Sequence, residues 1–94
     1  MKSSQKTHFC QIKGFDKYLG FNLQGSNSEK GVFRIVGVAI NSPAHKSGLK
    51  EGEYLLEVCG INVQSMDYEQ VINLINNGKQ QGNLSLMLAD KPTA

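Results

Sequence analysis

Only one stretch of this chain keeps a helical apolar period for several turns, and it follows a succession of short alternating segments. Tyr68, Val71, Ile72 and Ile75 fall at i, i+3, i+4 and i+7, on one face at about 3.6 residues per turn. Asp67 is placed to cap that helix, Gln70 three residues on completes a capping-box pair, and Gly78 is placed to end it. A helix with one apolar face buries it against a second layer, and the rest of the chain must supply that layer.

The rest reads as short strands. His8 to Lys13 alternates as a first, edge-type strand, with Phe9 and Ile12 as its inward side chains. After the loop Gly14-Phe15-Asp16-Lys17, Phe21 to Gln24 alternates apolar and polar, as a strand with one buried face does. Gly31 to Val38, beyond a polar turn, is rich in β-branched and aromatic residues and reads as a central strand. Ser42-Pro43-Ala44 combines an N-cap residue with proline at the first helical position, and Gly48 stops that short helix. Tyr54 to Val58 and a stub at Ile61-Asn62-Val63 follow, and Leu84, Leu86 and Leu88 alternate in a closing strand. The expected architecture is mainly β with two helices, a small partly open antiparallel sandwich or barrel of five to six strands. The long helix covers one gap and leaves a sheet edge beside it.

Ninety-four residues hold one domain of this kind. It is expected over residues 7–89, with a disordered tail at 1–6 and a linker or tail at 90–94. The chain resembles a module cut from a larger protein. Apolar residues make up 39% and charged ones 19%, enough for a core and for solubility. The net charge of +2 comes from ten basic and eight acidic residues scattered along the chain, without the basic block that tracks a phosphate backbone, so nucleic acid is not an expected partner. Cys10 and Cys59 lack metal-ligand spacing and are read as reduced and buried. No apolar run approaches the roughly eighteen residues of a membrane span, and Met1 to Thr7 carries no apolar signal core. The expected location is the cytoplasm, with the inner face of the membrane as a working site. Asn83-Leu84-Ser85 matches a glycosylation acceptor but falls in the closing strand. His8 and His45 have no nucleophile in a supporting motif, and Ser42 and Ser47 are explained by helix ends. No enzyme, metal or cofactor is expected.

Tyr18-Leu19-Gly20-Phe21, entering the second strand, is the most informative tetrapeptide. Glycine permits a backbone geometry in which consecutive amides point at one spot, and the flanking apolar side chains surround it. Amides around an apolar hole suit a carboxylate carried on an apolar residue. This tetrapeptide is followed in order by Ser42-Pro43-Ala44, Ser47-Gly48-Leu49, and Gly52-Glu53-Tyr54-Leu55-Leu56-Glu57-Val58-Cys59-Gly60. Together with the final helix, this succession resembles the PDZ family over roughly Thr7 to Ala89.

The resemblance implies a protein-interaction module, a scaffold or adaptor part. It would bind the free C-terminal tail of a receptor, channel or signalling protein by β-strand addition between the second strand and the long helix. It implies that the amides of Leu19, Gly20 and Phe21 hold the terminal carboxylate, with Lys13 or Lys17 as a basic neighbour. Leu19, Phe21, Leu23, Ile72 and Ile75 would take the last side chain, which favours Val, Leu, Ile or Phe. Tyr18, Asn22 and Gln24 would complete the groove, and Tyr68, where the commonest subtype has histidine, would face the third residue from the ligand's end. A tyrosine there can donate to an acidic side chain or to a hydroxyl, or its ring can contact an apolar side chain, so the ligand class stays open. Expected dissociation constants are of order micromolar, about 8 kcal/mol, with the domain monomeric. The alternatives are a phosphoinositide surface met by Lys46, Lys50 and Lys79 or by Lys2 and Lys6, and an internal segment that uses the same groove to dimerise.

Overall fold

The computed structural model describes residues 6–13, 18–25 and 32–91. The elements run β1 (Thr7–Ile12), β2 (Asn22–Gly25), β3 (Phe33–Val36), α1 (Pro43–Lys46), β4 (Tyr54–Val58), β5 (Ile61–Asn62), α2 (Tyr68–Gln80) and β6 (Leu84–Ala89). Strand pairing is antiparallel throughout, in the order β1-β6-β4-β3-β2, with β5 added to β4. The fold is thus mostly β, an open six-stranded antiparallel sheet with two helices.

The core lies where the alternating faces meet. Leu84, Leu86 and Leu88 on β6, Leu55 and Val58 on β4, and Phe33 and Ile35 on β3 are all essentially inaccessible to water. Each such side chain contributes about 1.5–3 kcal/mol of burial. On β1 the inward residues are Cys10 and Ile12, and Phe9 is 59% exposed. The expectation for Phe9 is corrected here, since a strand of period two cannot send residues 9 and 12 to the same face. Thr7 pairs with Ala89. Beyond it the Lys6 amide donates to Asp90 Oδ1 at 2.9 Å and the Asp90 amide to the Lys6 carbonyl at 3.0 Å.

α1 begins as its sequence requires: Ser42 accepts from the His45 amide at 3.2 Å, with proline at the first helical position. α2 opens on the expected capping box, in which Asp67 accepts from the Gln70 amide at 2.9 Å and the Gln70 side chain accepts from the Asp67 amide at 3.0 Å. It does not stop at Gly78. The helix runs through that glycine to Gln80, caps at Gln81 and turns at Gly82, whose φ is +75°. Gly78 serves close packing instead, because a Cβ there would sit 2.6 Å from Leu84 Cδ1 on β6. Cys59 holds a φ of +50° in the β4–β5 turn and is exposed, so only Cys10 is buried, and both thiols are free. Leu84 of the Asn83-Leu84-Ser85 triplet is fully buried in β6.

Candidate functional site

β2 ends the sheet, and its outer edge faces α2. Which of its backbone groups are free follows from the strand behind it. Ile35 donates to the Glu53 carbonyl at 2.8 Å and accepts from the Gly52 amide at 2.7 Å, so both of its main-chain groups are spent toward β4. Leu23, its partner across β2–β3, therefore occupies a non-hydrogen-bonded position in that pair. Its N–H and C=O point the other way, to the open edge. The Tyr68 hydroxyl, on the first residue of α2, donates to that carbonyl at 3.1 Å. Phe21, two residues before Leu23, shares its orientation by strand period.

The loop entering β2 is fixed by the segment around α1. The Leu19 carbonyl accepts from the Ala44 amide at 2.9 Å and the Gly20 carbonyl from the Ala39 amide at 2.8 Å. With the carbonyls turned inward, the N–H groups of Leu19, Gly20 and Phe21 donate to no other described residue. Gly20 has a φ of +96°, and a Cβ on it would fall well inside van der Waals contact of Ser42 Cβ and Oγ. Ser42 is itself buried, with Oγ donating to the Ala39 carbonyl at 2.7 Å. The Leu-Gly-Phe and Ser-Pro-Ala segments are therefore two sides of one contact: the second positions the first, and glycine is required where they touch.

Between loop, β2 and α2 lies a cleft of about 300 Å³. Its floor is formed by Leu19, Leu23 and Ile75, all nearly buried, with the partly buried Phe21 and Ile72 alongside. Tyr18, Gly20, Asn22 and Tyr68 make the rim. Nine of the ten residues expected at the site line it, and Gln24 does not. It sits beside Gly25, Val32 and Arg34 in a separate shallow depression.

Two residues of the cleft were not anticipated, Asn76 and Lys79. Tyr68 meets the far end of β2, so α2 runs back toward the loop, and Lys79 lies about 16 Å further along the helix, at the Leu19–Gly20 end. Of the lysines expected to serve that end, Lys13 lies in another depression with Gln11, Pro43, Lys46 and Ser47. Lys17 is outside the described residues. The lysines read as a membrane-facing set divide likewise: Lys46 and Lys50 are exposed, whereas Lys79 lines the cleft. Among the described residues no cluster of histidine, cysteine and carboxylate side chains could hold a metal ion.

An edge strand whose Leu23 backbone groups face outward, an apolar trough beside it and a loop at one end whose Leu19 and Gly20 carbonyls are locked inward can accept an extended chain that stops at the loop. The family model for the PDZ domain matches residues 11–89. The Na(+)/H(+) exchange regulatory cofactor NHE-RF1 of Gallus gallus is 44% identical over 66 residues, covering 70% of this chain and 19% of its own length. NHE-RF2 of Mus musculus is 32% identical over 90 residues, 96% of this chain and 26% of its own. The chain spans about a quarter or less of these two relatives. Among solved structures, the PDZ domain from choanoflagellate SHANK1 bound to a GIRK3 peptide superimposes with a TM-score of 0.81 over 95% of this chain and 97% of that one. Its sequence identity is 24%, a likeness of fold.

Proposed function

The chain belongs to the PDZ family, whose members are peptide-binding interaction modules, and from that premise we propose that it captures the free C-terminal tail of a partner protein by strand addition between β2 and α2. The observation that carries this reading is the loop at Leu19–Phe21 beside the apolar cleft, with the Leu19 and Gly20 carbonyls bonded to Ala44 and Ala39 and the N–H groups of all three residues donating to no other described residue. A tail carboxylate placed there accepts two or three amide hydrogen bonds, each worth about 1.5–3 kcal/mol because the acceptor is charged. An internal segment has no such group.

The last side chain of the tail enters the trough of Leu19, Phe21, Leu23, Ile72 and Ile75, where burial of Val, Leu, Ile or Phe is worth about 1.5–3 kcal/mol. The residue two before it pairs with Leu23 and lies under Tyr68. Lys79 supplies a cation at the carboxylate end. The module works as one part of a scaffold or adaptor that gathers receptors, channels or signalling proteins on the cytoplasmic side of a membrane. It acts without catalysis.

The test is fluorescence polarisation against C-terminal peptides randomised over the last four positions, with each hit repeated as its amide. Tail capture predicts hits ending in Val, Leu, Ile or Phe, with micromolar dissociation constants and loss of binding on amidation. Equal binding of the amides would replace it with internal-segment recognition. Binding of anionic vesicles without peptide would replace it with a lipid surface.

A further inference from the structure

The sheet has a second open edge. Among the described residues β1 pairs with β6 alone, so its outer side is free, at the opposite end of the strand order from β2. Which groups it presents follows from two bonds. The Asp90 amide donates to the Lys6 carbonyl at 3.0 Å, which makes Lys6, and by strand period His8, Cys10 and Ile12, the residues bonded toward β6. Ser85, opposite Gln11, shows the same alternation from the other side: its carbonyl accepts from the Cys59 amide at 2.8 Å and is spent away from β1. The N–H and C=O groups of Thr7, Phe9 and Gln11 therefore point to the open edge.

Sheet edges are ordinarily blunted by charge, proline or a bulge. Inside β1 there is none of these: its register with β6 is unbroken, it contains no proline, lysine, arginine or carboxylate, and His8 is turned to Glu53, with Nδ1 3.0 Å from Oε2. Phe9 stands in the middle of the outward-facing set, 59% exposed, across the ladder from Met87. We propose that two copies of the chain join here, β1 to β1 and antiparallel, about a two-fold axis at Phe9. In that register Thr7 faces Gln11 of the second copy, Phe9 faces Phe9, and each pair exchanges two main-chain hydrogen bonds. A shift of two residues leaves one of the three outward residues beyond the end of the other β1, and a shift of one sets outward groups against groups already spent on β6. A second copy fits better than an unrelated strand, because symmetry brings an aromatic ring opposite Phe9 and sets no like charges opposite each other between Lys6 and Lys13. One strand and one ring from each copy make an interface below the roughly 1,200 Å² of stable complexes, so the dissociation constant is of order 100 µM. Lys6 flanks the edge at one end and Lys13 and Lys46 at the other, so salt strengthens the association by screening them. Neither β2 nor α2 takes part, and the pair presents both of its clefts at once, which raises the avidity for clustered partners.

The experiment is sedimentation equilibrium of the 94-residue chain from about 10 µM to about 1 mM, where the average mass should rise from one chain toward two. F9K and F9E should each weaken the association about tenfold or more, by setting like charges opposite each other on the axis. Both should melt as the wild type does in dilute solution, since the side chain they replace is 59% exposed. An equimolar mixture of the two should associate again, because opposite charges then meet where the rings did. Amide ¹⁵N–¹H shifts that depend on concentration should fall on Thr7, Phe9 and Gln11. A chain that stays single up to about 1 mM, an F9K variant that associates as the wild type does, or a mixture that stays apart would overturn the pairing at Phe9. So would association that is lost on adding a saturating Val-ending tail peptide, which would move the contact to the cleft between β2 and α2.

Discussion

Replacement of Gly20 by alanine tests whether the loop is held by its contact with Ser42. Two costs add. The residue sits at φ +96°, a region L-residues avoid at about 1–2 kcal/mol. The new methyl also meets Ser42 Cβ and Oγ, which cannot move aside easily. Ser42 is buried, its amide donates to the Ala39 carbonyl at 3.2 Å, and its carbonyl accepts from Lys46 at 2.9 Å. Overpacking at such a site costs about 1–3 kcal/mol. G20A should therefore lose about 3 kcal/mol, a large share of the roughly 5–15 kcal/mol that holds a small domain. Ser42→Gly alone should cost about 1 kcal/mol through the lost cap and hydroxyl bond. It also opens the space the methyl needs, so G20A/S42G should be more stable than the sum of the single losses by about 1–2 kcal/mol. Urea denaturation of the four proteins gives the coupling directly. If G20A unfolds within about 1 kcal/mol of wild type, or the two losses simply add, the loop is not held by this contact.

Further consequences concern packing, charge and thiol chemistry. Gly78→Ala gains about 1 kcal/mol of helix propensity, but its methyl must fit 2.6 Å from the fully buried Leu84 Cδ1, so net destabilisation of about 1 kcal/mol is expected by thermal or urea melting. A stabilised variant would refute that contact. Lys79→Ala should weaken free-acid tail peptides about two- to fivefold, with a smaller effect at high salt, and leave melting unchanged. Cys59 should react with a disulfide reagent in the native protein and Cys10 only on unfolding. Burial pushes the Cys10 thiol above its ordinary value of 9.0, outweighing the hydrogen bond to Ser47 that lowers it. The unfolded chain thus ionises first as pH rises, so the stability tied to the neutral thiol is full below 9.0 and is lost as pH climbs from there through the higher folded value. C10A should flatten that alkaline decline.

Much of this was legible because period and end signals coincided. α2 has an apolar stripe, a capping box and a buried face that all agree, and β4 was bounded by glycines at both ends. Single signals were less secure. Glycine marks a helix stop and a close approach equally well, and nothing near Gly78 in the sequence says that Leu84 will lie against it. That ambiguity also hid Lys79: continuing the Tyr68, Ile72, Ile75 face one more turn reaches residue 79, but only if the helix passes Gly78. Phe9 was misplaced because its hydrophobicity outweighed strand parity, while Cys10, the smaller residue, faces the core. The hydroxyl of Tyr68 on Leu23 was not legible at all, since it joins residues 45 positions apart through a groove whose width no local pattern encodes.

The central claim is that the amides of Leu19, Gly20 and Phe21 receive a terminal carboxylate, and it is tested most directly by titrating the ¹⁵N-labelled chain with a Val-ending hexapeptide as free acid and as amide. The free acid should shift those three amide protons downfield, together with that of Leu23, while the amide leaves the first three unmoved. Equal shifts with both peptides, or shifts confined to the outer sheet face around Phe9 or to the depression at Lys13 and Lys46, would contradict it.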